Sequence, residues 1–294
     1  METVKHCLVC GSASFQDFLS VTDHFLSKEE FTLVKCNSCG FTFIKDRPEA
    51  SEASAYYKST EYVSHSSTKK GLVNWVYSKV RNYTLKKKLK LAGRFSKGKN
   101  ILDYGCGTGH FLNHCQKKGW VVTGIEPDPD ARKFATTDFQ LPVFEINHLK
   151  SLPDKSFNVI TSWHVLEHVY EADLLLSEFM RLLKDDGVLI LAVPNCNSFD
   201  AQHYKSNWAA YDVPRHIWHF SPDTLFRFAE KNGFQKVHFR GMKFDSYYIS
   251  LLSEKYLHGK SSLFRGIWNG LLSNCKARKN GNFSSFITIL TKKN

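Results

Sequence analysis

No stretch of this 294-residue sequence is apolar enough to cross a bilayer. The longest purely aliphatic run, Val188 to Val193, is bounded by Gly187 and Pro194, far short of the roughly 20 residues a spanning helix needs. Met1 to Cys10 contains no apolar stretch followed by a small-residue cleavage site, so secretion is not expected and a cytoplasmic location is. Internal repeats and low-complexity tracts are missing too. Acidic residues are absent between Lys69 and Lys99, where eleven Lys and Arg fall. An apolar fraction of 42% with 23% charged residues excludes a long disordered chain and a collagen-like one. The length allows two domains, or one domain with sizeable additions.

Forty Lys and Arg stand against 28 Asp and Glu, a formal charge of +12. Such a balance favours acidic partners: nucleic acid, phosphorylated metabolites or an anionic membrane surface. The knot at Lys86, Lys87, Lys88 and Lys90 reads as the solvated face of one amphipathic helix, or alternatively as a docking strip for an anion.

Of eight cysteines, four form two Cys-x-x-Cys pairs, Cys7/Cys10 and Cys36/Cys39, each followed by glycine. The glycine lets the chain turn so that backbone amides face the thiolates. Four thiolates close a tetrahedral shell around zinc and leave no open position for a substrate. The expected role is a structural zinc in a ribbon-like segment too small to hold together by burial alone. Redox chemistry at one pair is the lesser alternative, because no βαβ pattern surrounds it.

Beyond this segment, residues 49–67 read as a connector and 70–95 as a helix. From Asn100 the texture becomes strand, loop and helix in alternation: Ile101 to Tyr104, a glycine loop, His110 to Lys118, Trp120 to Ile125, Asp130 to Thr137, Pro142 to Glu145, Phe157 to Ser162, Ala172 to Leu183, then Gly187 to Val193. This spacing predicts a doubly wound α/β sheet, mostly parallel, with helices on both faces. Further elements are expected as a helix from Ser221 through Lys231, a strand from Lys236 to Lys243, helix from Tyr247 to about Asn280, and a last strand from Ser284 to Leu290. The corresponding divisions are a zinc-ribbon-like domain at 1–48, a connector and helix at 49–95, a sheet domain at 96–246, a helical insertion at 247–280 covering the acceptor, and the final strand at 281–294.

A glycine loop after the first strand of such a sheet is where ligands bind, since glycine lets backbone approach closely. Gly105-x-Gly107-x-Gly109 departs from the dinucleotide fingerprint, because the third glycine comes one residue early. The phosphate-loop pattern fails as well. Glu126 nevertheless ends the second strand, where a carboxylate accepts both hydroxyls of a ribose.

Here the sequence resembles the class I S-adenosylmethionine-dependent methyltransferases, through I-L-D-Y-G-C-G-T-G-H-F-L (101–112), G-I-E-P-D (124–128), the stretch 152–169 and the stretch 182–195. The resemblance implies a Rossmann-like fold and S-adenosylmethionine as cofactor. By it Gly105, Gly107 and Gly109 wrap the methionine part, Asp103 orients the loop, Glu126 takes the ribose and Pro127 lies near adenine. Relatives carry an aspartate near 146; this chain has Ile146 and Asn147, to which adenine is assigned. Trp163 and His164 would face the methionine end. The four-Cys segment resembles the zinc-binding domain preceding several bacterial methyltransferases, including sugar C-methyltransferases.

The candidate bases are His164 and His216. Glu167 and His168 read as braces of the sheet; the cluster also resembles the metal ligands of ubiquinone-pathway O-methyltransferases, with His164 replacing their first acid. The aromatic segment from Asn207 to Phe220 reads either as the wall of an acceptor site, with Arg215 for an acid group and His216 as base, or as a lid packed by its own rings. A small-molecule or saccharide-precursor acceptor, anionic in keeping with the basic chain, is the expected partner. RNA or DNA is the alternative, disfavoured because Ser162-Trp163-His164-Val165 stands where base methyltransferases carry Asp/Asn-Pro-Pro-Tyr/Phe. A zinc-ribbon interaction protein without catalysis is the third reading.

Overall fold

A computed structural model describes residues 1–57, 72–260 and 262–293. The connector is thus described only to Tyr57, where Ala53–Tyr57 forms a 3-10 turn; its remainder lies outside the described residues, as do residues 70 and 71 of the expected helix.

The N-terminal segment is built from short antiparallel strands. β1 (Glu2–Thr3) pairs with β5 (Asp46–Arg47). β2 (Phe15–Thr22), β3 (Glu30–Cys36) and β4 (Thr42–Ile44) form a meander. Its fourth strand, β11 (Trp218–His219), comes from far along the chain and pairs with β4 through Trp218–Phe43 and His219–Thr42. The aromatic segment after the fifth sheet strand therefore completes the N-terminal sheet. Phe41 packs 5.1 Å from Phe220 and 5.9 Å from Trp218, ring centre to ring centre. One core runs through Leu33, Phe41 and Phe43 into Trp218, Phe220 and Phe228, so packing does not stop at residue 48.

Helix α1 (Leu72–Phe95) precedes the main sheet. The sheet strands are β6 (Asn100–Tyr104), β7 (Val121–Ile125), β8 (Val143–Phe144), β9 (Phe157–Trp163), β10 (Leu183–Pro194), β12 (Phe234–Met242) and β13 (Ser285–Lys292). Their order is β12-β13-β10-β9-β6-β7-β8. Pairs from β10 to β8 are parallel, and β13 runs antiparallel to both neighbours. Helices α2 (His110–Gln116), α3 (Pro129–Asp138), α4 (Ala172–Leu182), α5 (Phe199–Tyr204) and α6 (Pro222–Lys231) connect these strands. α6 starts in a capping box between Ser221 and Thr224.

The central strands are apolar on both faces, as burial between two layers demands. Along β10, Leu189, Leu191 and Val193 enter one core, while Val188, Ile190 and Ala192 enter the other. Ile101 and Leu102 divide likewise on β6. The chain winds from β6 outward to β8, then returns to β9 and winds the other way. The crevice beyond the ends of β6 and β9 is the topological switch point, where such sheets bind ligands. The long helical stretch is two helices, α7 (Asp245–His258) and α8 (Leu263–Asn280), broken at Gly259, whose φ is +72°.

Candidate cofactor and acceptor site

The loop after β6 turns through three left-handed glycines: Gly105 at φ +73°, Gly107 at +54° and Gly109 at +77°. They serve different ends. A Cβ on Gly105 would lie 2.4 Å from Val165 Cγ2, and one on Gly109 would lie 2.7 Å from Leu141 Cδ1. Those two glycines permit close packing beneath the loop. A Cβ on Gly107 would meet nothing within 4 Å; this glycine faces open space.

Glu126, at the end of β7, fastens the loop. Its Oε2 accepts from the Gly107 amide at 2.7 Å and its Oε1 from the Asp128 amide at 3.0 Å. Each carboxylate oxygen keeps a lone pair for a ligand. Arg132 holds the backbone here, donating to the carbonyls of Glu126 and Pro127. Burial pushes the Glu126 carboxyl above the usual range, against the pull of both amides.

Among the described residues no hydrogen bond joins the Asp103 carboxylate to the loop amides. The carboxylate is buried and accepts from the Thr161 hydroxyl on β9 at 2.5 Å. Burial pushes it up to about 7, with Thr161 and Lys88 opposing. Lys88 is the residue that sequence reasoning missed. Its ammonium sits 4.2 Å from the Trp163 ring centre. The knot it belongs to reads in the sequence as a solvated face or an anion strip, yet its spacing from Leu85, Leu89 and Ala92 places Lys88 on the inward stripe of α1. The Trp163 indole nitrogen is buried with no hydrogen-bond partner among the described residues. Ile146 and Asn147 lie exposed in a 3-10 turn just beyond β8.

A second group of polar side chains follows β9. His164, itself left-handed at φ +57°, lies between two carboxylates: Nε2 is 3.1 Å from Asp245 Oδ2 and Nδ1 is 3.6 Å from Glu167 Oε1. Burial would lower its pKa, but the two acids raise it to about 9. Glu167 is 1% exposed, and its two carboxylate oxygens have no hydrogen-bond partner among the described residues. Burial opposes its charge, yet His164, His216 and His168 hold it below the usual range. His168 is driven down to about 4 by burial and by His216; its Nδ1 lies 2.9 Å from both the Arg215 carbonyl and the Tyr57 hydroxyl. His216 stands edge-on to His168, with ring centres 4.5 Å apart. Its Nδ1 donates to the Ala210 carbonyl at 2.8 Å, and its Nε2 lies 3.9 Å from Asp212 Oδ2. Glu167, His168 and His216 offer three ligand atoms within 4.8 Å of one another.

Arg215 is not open to an acceptor. It is 4% exposed, and its guanidinium donates to Asp23, Asp212 and the Tyr56 carbonyl. Trp208, Tyr211, Trp218 and Phe220 are likewise buried. The segment packs as a plug between head and sheet, and of Arg215 and His216 only the His216 side chain joins Glu167 and His168.

At the head, Cys7 Sγ lies 3.5 Å from Cys39 Sγ, and Cys10 Sγ 3.5 Å from Cys36 Sγ. All four sulfurs fall within 4.8 Å of one another. Gly11 and Gly40, both at φ +74°, close the two knuckles by donating their N–H groups to the carbonyls of Cys7 and Cys36. Burial acts to raise the Cys36 thiol, but the amides of Cys39 and Ser38 bring it down to about 7. The donor set and its spacing suit zinc.

Residues 77–239 match the family model described as a methyltransferase domain. The chain is 36% identical over 109 residues to a ubiquinone biosynthesis O-methyltransferase from Actinobacillus pleuropneumoniae; the match covers 33% of this chain and 47% of that protein. It is 25% identical to a protein of the same name from Idiomarina loihiensis, over 54% of this chain and 70% of the other. The chain thus spans about half the length of the first relative. A solved SAM-dependent methyltransferase from Archaeoglobus fulgidus superposes with a TM-score of 0.50 at 22% identity, over 72% of this chain and 94% of the other.

Proposed function

Because the chain belongs to the methyltransferase-domain family, as a class I member, we propose that it transfers a methyl group from S-adenosylmethionine to a small-molecule or saccharide-precursor acceptor. The observation that carries this reading is Glu126 joined to Gly107 at the switch point, with open space above that glycine. The residues present suit the cofactor. Glu126 would take the ribose hydroxyls, the glycine loop the methionine portion, and Pro127, Ile146 and Asn147 the adenine. The unpartnered Trp163 N–H and the Lys88 ammonium supply donors for the methionine end. When bound, the sulfonium supplies an already activated methyl group. What the chain must add is alignment, exclusion of water and, for a protonated acceptor, a base.

His216 suits the base. Its Nδ1–H is fixed on a carbonyl, and a proton taken at Nε2 would sit beside the Asp212 carboxylate, 3.9 Å away. His164 already holds a proton between two acids at neutral pH and acts as a positioning group. The names of the curated relatives, which are O-methyltransferases, support a hydroxyl oxygen as the receiving atom. The four-Cys cluster would hold one structural zinc.

The test is calorimetry with S-adenosylmethionine, followed by mass-spectrometric search of cell extract for products carrying label from a labelled methyl donor. Binding and a labelled small molecule are expected. Failure to bind the cofactor sinks the reading, and label confined to RNA replaces the acceptor.

A further inference from the structure

Helix α8 is turned inside out. Its buried positions are Gly266, Gly270, Ser273, Asn274 and Ala277. Its exposed positions include Leu263 (66%), Phe264 (79%), Ile267 (46%), Trp268 (53%) and Leu271 (43%), which together line one shallow open groove. The small face is required by contact with α7. A Cβ on Gly266 would lie 2.9 Å from Leu251 Cα, and one on Gly270 would lie 2.9 Å from Tyr247 Cα. The two helices meet at backbone distance and are tied by polar bonds: Ser246 Oγ donates to the Gly270 carbonyl, and Asn274 Nδ2 to Ser246 Oγ. Small residues with interhelical hydrogen bonds hold helices together where burial of large apolar groups does not. The large apolar groups are left facing out.

The charge around this face has one sign. The exposed charges of the hairpin are Lys255, Lys260, Arg265, Lys276, Arg278 and Lys279. The hairpin has two acids: Asp245, paired with His164, and Glu254, which is 2% exposed and accepts from Tyr204 and Asn269.

We propose that the α7–α8 hairpin docks on an anionic lipid bilayer, with the five apolar side chains entering the headgroup–acyl boundary and the cations taking lipid phosphates. An apolar stripe with Trp and Phe, rimmed by Lys and Arg, is the composition of a helix that lies in a membrane interface. A second copy fits worse, because pairing two such faces brings cations together with no exposed acid between them. No described helix is long and apolar enough to cross a membrane, so the hairpin lies on the surface. The stripe runs along α7 to the level of Tyr247, where Gly270 abuts the backbone, two residues from Asp245, the partner of His164. The hairpin therefore joins a lipid surface to the polar cluster of the site.

The test is sedimentation of the full chain with phosphatidylcholine vesicles and with vesicles that also contain phosphatidylglycerol, alongside tryptophan fluorescence. Expected are binding only to the second kind, weakening with salt, and a blue shift lost in Trp268→Ala. Phe264→Glu with Trp268→Glu should weaken binding by about tenfold or more. Arg278→Gln with Lys279→Gln should weaken it through the charges alone. Unchanged melting and cofactor calorimetry verify that the variants are folded. The proposal is overturned if the wild type ignores phosphatidylglycerol, if both variants bind undiminished, or if the patch instead gives a dimer that Phe264→Glu dissolves. Vesicle binding without cofactor binding would sink the proposed function and leave this inference standing.

Discussion

The Nε2 of His164 and the Oδ2 of Asp245 lie 3.1 Å apart and tie the end of β9 to the start of α7. With Glu167 on its other side, the imidazole is held at about 9. Its folded value stands above the unfolded value near 6.5, so its contribution is fully present below about 6.5 and is lost as pH rises through about 9. Asp245→Asn should flatten that loss, leaving a difference of about 1 kcal/mol or more between the two ends. Urea denaturation of both proteins across that range measures it.

The loop glycines should separate by function. Gly109→Ala forces a Cβ against Leu141 and Ala135 in a left-handed backbone and should cost about 2–4 kcal/mol of stability. Gly107→Ala has room and should cost only about 1–2 kcal/mol, while its methyl enters the cofactor space and weakens S-adenosylmethionine binding. Denaturation and calorimetry on the two variants read the contrast.

His216→Ala should keep cofactor affinity and lower turnover by about 10²–10⁴-fold. Full activity would remove His216 from the mechanism. The comparison needs only single-turnover rates and calorimetry.

Arg215→Met takes away the cation beside Asp23, which is fully buried and held down at about 2 by the guanidinium and the Ser27 and Leu26 amides, despite the burial that would raise it. The loss should be about 3–5 kcal/mol. Adding Asp23→Asn should recover part of it, since the uncompensated charge goes too. Thermal or chemical melts of the single and double variants test this.

Cys39→Ser should lower the bound zinc to well below one ion per chain and reduce the melting temperature. Because β4 pairs with β11, the emission of the buried Trp218 should shift as well. Metal analysis and fluorescence check both.

The parallel sheet was legible because Gly and Pro punctuate it and its strands are continuous apolar runs. The glycine loop and Glu126 were legible for the same reason: they sit at fixed places in a βαβ unit. What the sequence concealed is long-range. β11 is two residues long, too short for any periodicity to show. Arg215 reads as a free cation until the fold brings up Asp23, 192 positions earlier. Lys88 was hidden among charged neighbours, although its helical phase matched the apolar stripe. The inverted face of α8 was masked because its inward residues are Gly, Ser, Asn and Ala, which carry no hydrophobic signal.

The β4–β11 pairing sets the order in which this protein is completed. The cysteine head leaves the ribosome long before its last strand is made, and so emerges with an open sheet edge beside Phe41 and Phe43. Head and catalytic body are consequently not interchangeable cassettes. A graft of the head onto another enzyme must bring Trp218 to Phe220 with it, and a deletion of the head uncovers those same rings.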